Sequence, residues 1–141
     1  MASEQIDPDP RPDVQPDEQL ELSRDEALAA DDLPFERVDF PEGIAGWAGR
    51  CLYVRSMTSG ERDQWESFLV SRQENDKVAG DDVRATLVAM TAANSRGELL
   101  FSLDDVKLLQ DKAATAADLI CTAARKLNRL NTKDLEELEK N

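Results

Sequence analysis

CLYVRSMTSGERDQWESFL, residues 51–69, changes its period halfway along and so decides the fold class. In the first half, Leu52 and Val54 alternate with Tyr53 and Arg55, the period of a strand with one buried face. Thr58-Ser59-Gly60-Glu61 then matches a capping box. In that motif the hydroxyl and the carboxylate each accept a hydrogen bond from a backbone N–H left free at a helix start. Trp65, Phe68 and Leu69 follow at i, i+3 and i+4, one face of a helix expected to run to about Glu74. A strand passing straight into a helix predicts an α+β chain.

Upstream, Val38 and Phe40 alternate with Asp39, and PEGIAGWAGR (41–50) joins the two apolar alternations. The pair reads as a hairpin, or two short strands, around a flexible loop. Gly43, Gly46 and Gly49 recur every three residues, but no G-x-G-x-x-G or Gly-Lys-Ser/Thr pattern accompanies them. The loop is therefore not read as a phosphate cradle. Downstream, Asn75 to Gly80 is a polar break. A calcium loop there would put Lys77 at a ligand position, where a cation cannot coordinate.

Asp81 or Asp82 is expected to cap a helix with Val83, Leu87 and Met90 on its inner stripe, ending at the turn Asn94–Gly97. Leu99-Leu100-Phe101 reads as a short apolar segment. Ser102 and Asp105 form a second capping box before a short helix with Val106 and Leu109 facing inward. Ala116, Ile120, Ala123, Leu127 and Leu130 then recur at spacings of 4, 3, 4 and 3. That is a helical seam, interrupted at Asn131-Thr132 and followed by a last helix with Leu135 and Leu138. The expected fold is α+β, mostly α: an N-terminal β-hairpin followed by four to five amphipathic helices.

Residues 1–34 stand apart. They hold eleven acidic and two basic side chains, and five of the chain's six prolines. Proline density and missing apolar periodicity predict a disordered acidic tail over 1–34, with a short helix near Leu20–Leu33, and a folded domain over 35–141. The 30 acidic and 17 basic residues leave a formal charge of -13. That balance argues against nucleic acid, whose phosphates need clustered cations, and against an anionic membrane. No apolar run is long enough to span a bilayer, and MASEQIDPDP has neither a basic n-region nor an apolar h-region. A soluble intracellular protein is expected.

The chain contains no histidine, so the commonest general base and metal ligand are missing. Cys51 and Cys121 show no metal-binding spacing and read as free thiols. The carboxylates scatter over polar faces, and Trp47, Tyr53 and Trp65 suit the core of a small domain. No catalytic residue, metal or cofactor is assigned, and the expectation is a protein that is not an enzyme.

Taken in order, several segments resemble the phage tail assembly chaperones of long-tailed phages and prophages. They are Phe35–Val38, Tyr53–Thr58, Glu61–Glu66, Arg84–Ala89, Gly97–Phe101, Asp105-Val106 with Leu109 and Lys112, and Ala124–Leu130. Together they cover most of residues 35–141, and residues 1–34 depart from the family pattern. The resemblance implies a non-enzymatic role in the host bacterial cytoplasm. Such proteins coat the tape measure protein, help to deliver the major tail tube protein, and are not retained in the mature virion. Self-association is left open.

The helical seam and the helix beyond it supply the candidate partner contacts: Leu127, Leu130, Leu135 and Leu138. Ile120 and Leu127 also suit the domain's own core. The alternative reading is an acidic regulatory or antitoxin-like binding module acting on a basic partner through the tail. The family also implies a longer product made by −1 ribosomal frameshifting. Glu139-Lys140-Asn141 can be encoded as GAA AAA AAC, which holds a slippery heptamer in the required phase. The same residues also suit a plain helix end, with Lys140 at the negative pole.

Overall fold

A computed structural model describes residues 20–74 and 82–130. The chain divides into two units, residues 1–32 and 33–141. In the first, helix α1 (Arg24–Ala29) begins at a capping box: Ser23 Oγ accepts from Glu26 N–H while the Glu26 carboxylate accepts from Ser23 N–H. The bond from Ser23 N–H foremost, and after it one from the Ser23 side chain, hold the Glu26 carboxyl below its usual range. Leu22 and Leu28 are 71% and 70% exposed.

The second unit is α+β and mostly helical, as the change of period predicts. Strands β1 (Phe35–Asp39) and β2 (Cys51–Arg55) form the antiparallel hairpin, with Val38 opposite Leu52. Val38, Leu52 and Val54 bury one face. The connection is wound into consecutive turns, with backbone bonds from Ala48 N to Ile44 O and from Gly49 N to Phe40 O. Gly46 and Gly49 take positive φ there, at 84° and 73°, which is what the glycines supply. Ile44 is buried, and the Trp47 ring lies 4.9 Å from that of Phe40.

Helix α2 (Ser59–Glu74) starts at its predicted box, Thr58 Oγ1 accepting from Glu61 N–H at 3.0 Å and Glu61 from Thr58 N–H at 2.9 Å. The same Glu61 carboxylate takes a forked pair of bonds from Arg55 at 2.7 and 2.6 Å, so the cap is tied to β2. Trp65 is buried, with Phe68 and Leu69 packed against the core.

Helix α3 (Val83–Thr91) departs from its expected stripe, because eight of its nine residues are buried. Asp82 sits at its N-cap, but in a left-handed conformation with no side-chain capping bond; its carboxylate instead accepts from Arg72 Nη1 of α2 at 2.7 Å.

Immediately after α3 comes a strand that the sequence reading missed, β3 (Ala92–Ala93), paired with β2 to give the order β1-β2-β3. Two alanines carry almost no strand signal, and their pairing is made by the fold around them. The turn at 94–97 is as expected, closed by Asn94 and by Gly97 at φ 79°. Asn94 also donates to Glu98, which with Arg96 holds that carboxyl below its usual range.

After the capping box at Ser102–Asp105 come a 3-10 turn (Leu103–Asp105) and α4 (Val106–Leu109). Helix α5 (Ala114–Asn128) runs across β1, β2 and α3. It buries Ala116, Ile120, Cys121 and Ala124, and ends where Arg129 turns left-handed at φ 52°. Asn128 then locks the end of α5 to the β2–α2 junction, its Oδ1 accepting from Met57 N–H at 2.6 Å.

Candidate partner-binding surface

Of the four leucines assigned to partner contact from the sequence, Leu127 packs against the core and Leu130 is 8% exposed within it. The backbone reversal at Arg129 explains Leu130: Leu130 N–H donates to Arg125 O, which folds the leucine back under α5. Leu130 therefore presents little surface to another protein. Leu135 and Leu138 lie outside the described residues.

The structure brings a different group of apolar side chains to the surface. Leu100, Leu103 and Leu108 are 46%, 50% and 65% exposed, all in the segment that leads through the 3-10 turn into α4. Their inward counterparts Phe101 and Leu109 pack on the core, and Val106 is half-buried. The short helix thus shows leucines on both sides. The signal was present in SLDDVKLLQDK: once Val106 and Leu109 take the inner face, Leu108 has no place there.

Beside this segment, α3, α4 and the start of α5 enclose a cleft of about 230 Å³ lined by Arg84, Ala85, Leu109, Gln110, Lys112 and Ala117, among others. Small alanines on α3 and α5 keep it open. Beneath it a smaller apolar recess reaches Trp47, Val88 and Ile120. At the rim Arg84 pairs with Asp118 across the two helices at 2.7 Å. Both members are about half exposed, so the pair orients the rim more than it stabilises it.

No family model, no curated protein and no solved structure matches the chain. The surface is therefore read from its own chemistry. Among the described residues, no group of three or more Cys, Asp or Glu side chains is placed to hold a metal ion. No described helix is long and apolar enough to cross a membrane. Cys51 is exposed and Cys121 buried, both as free thiols. What the arrangement offers is apolar recognition: leucines half in water beside an alanine-floored cleft, on a chain of charge -13. Burying one such leucine against a partner contributes on the order of 1 kcal/mol or more.

Proposed function

We propose that this protein is a non-enzymatic tail assembly chaperone that binds a tape measure protein, and tail tube subunits with it, during tail morphogenesis in the bacterial cytoplasm. The observation that carries the reading is the exposed Leu100–Leu108 segment beside the α3–α5 cleft. A protein that shields an aggregation-prone client needs accessible apolar side chains, and a strongly negative surface keeps the loaded complex dispersed. An amphipathic helix of the client would lay its apolar face along the leucines and set one side chain in the cleft. The ordered segments that resemble the family support the choice of client.

Co-expression with a tape measure protein tests the proposal. The client's soluble yield should rise, and a complex should survive gel filtration. Leu103→Glu with Leu108→Glu should abolish both effects while changing the stability of the free protein by no more than about 0.5 kcal/mol for each exposed site. An unchanged client yield, or a complex indifferent to the two glutamates, removes the proposal's support.

A further inference from the structure

Strand β1 is the edge of the sheet, and its ladder has a definite parity. Ser56 N–H donates to Pro34 O, and Phe40 N–H donates to Arg50 O. Even-numbered residues therefore face β2 with their backbone groups, while Phe35, Arg37 and Asp39 turn theirs outward. Among the described residues nothing pairs with that outer edge. The three side chains share one face of the sheet, where Phe35 stacks edge-on against Tyr53 at 5.7 Å. Arg37 and Asp39 are 60% and 69% exposed and bonded to each other at 2.8 Å.

We propose that this edge pairs with the same edge of a second copy, antiparallel and centred on Val38, joining two three-stranded sheets into one. Outward-facing groups can exchange bonds only in registers that set odd residues opposite odd ones. Centring on Arg37 places arginine against arginine, and centring on Asp39 places aspartate against aspartate. Centring on Val38 places Arg37 opposite the partner's Asp39, and Asp39 opposite the partner's Arg37. Each such pair exchanges two backbone bonds, and the four side chains alternate in sign on one face. The guanidinium has donors to spare beyond its bond to Asp39 within the strand.

Pro34 and Pro41 bracket the strand and confine pairing to this short stretch. Charges and prolines ordinarily blunt a sheet edge. Here opposite signs two residues apart reject other registers and accept one. The inference is independent of the chaperone reading, because it concerns an edge remote in sequence from the Leu100–Leu108 segment.

The test needs no client: analytical ultracentrifugation of the full chain, with hydrogen exchange followed over the same concentration series. A dimer should form, and the Arg37 and Asp39 amides should gain protection as it does. Arg37→Asp and Asp39→Arg, each alone, should raise the dimer Kd about tenfold or more. The double exchange R37D/D39R should restore it. Both sites are exposed, so the variants remain folded. A chain that stays monomeric overturns the proposal. So does a dimer indifferent to the single reversals, or one that the double exchange fails to restore. Protection of these amides without dimerisation would show the edge covered by the chain itself, and would overturn it too.

Discussion

Helices α2 and α3 are built on opposite plans. Helix α2 has sixteen residues, makes no extended backbone approach to another described element, and is held by side chains: Trp65 in the core, Phe68 and Leu69 beside it, Glu61 paired with Arg55, Arg62 donating to Asn128 O, and Arg72 paired with Asp82. Helix α3 has nine residues, and only Arg84 escapes burial. It passes between the sheet strand it feeds, the α4 segment and α5. A long helix can thus be peripheral and a short one central. What decides is how many faces find apolar partners, since burial stabilises in proportion to area removed from water.

The contrast is broken most directly at its anchors. Trp65→Ala should cost about 3–5 kcal/mol, enough to threaten a domain of this size. If α2 hangs on that ring, hydrogen exchange should show α2 opening at lower free energy than α3, α5 and the hairpin. Leu87→Ala, in the middle of α3, should cost about 2–5 kcal/mol and lower the protection of all of them together. Wild-type unfolding of Trp65→Ala would mean that the ring serves a partner instead of the core. Uniform loss in both variants would erase the distinction between the helices.

Next in size is the turn that brings the chain out of α3 and β3. Gly97 has φ 79°, and an added Cβ would meet the Phe35 ring at 3.4 Å. Gly97→Ala should therefore cost about 1 kcal/mol or more, read as a lower midpoint in urea at unchanged slope. Arg129 makes the opposite case at the end of α5. An arginine occupies a left-handed position that a glycine adopts without strain. Arg129→Gly should stabilise the domain by a fraction of a kcal/mol, up to about 1. Loss of stability on that change would indicate that the arginine side chain holds the helix end.

These positions also mark what was legible in the residues alone. The hairpin and the capping boxes at Thr58 and Ser102 were readable because strand alternation and capping chemistry are local. The core face of α5 was readable because a helix packed on one side keeps its period. Three features were not local. Ala92-Ala93 becomes a strand because β2 has a vacant side next to the exit of α3. The amphipathic stripe of α3 dissolves because neighbours cover it all round. Arg129 reverses the chain without the glycine that would have announced it. The candidate site suffered from the last of these: a seam read on through Leu127 and Leu130 stops at Asn128, and the exposed leucines lie earlier, in the segment that runs through the 3-10 turn into the single turn of α4.

The smallest expected effect lies in the turn after β3, at Glu98. Its carboxylate accepts from Asn94 Nδ2 at 2.9 Å and from Arg96 at 3.1 and 3.2 Å. Those bonds, Asn94 first, favour the charged form and lower its pKa. The sign of the linkage follows. A carboxyl depressed in the folded state contributes stability above its unfolded pKa and loses that contribution as pH falls through the folded value. Glu98 is largely exposed, so the contribution is slight and screened by salt. Side-chain NMR titration should place its midpoint below that of an ordinary glutamate, and Asn94→Ala should return it toward the usual range. The amides of Arg96 and Glu98, which donate to Asn94 Oδ1, should exchange faster in the same variant, while those of α3 stay unchanged. Faster exchange spreading into α3 would show that this turn supports the central helix and is no mere surface ornament on its exit.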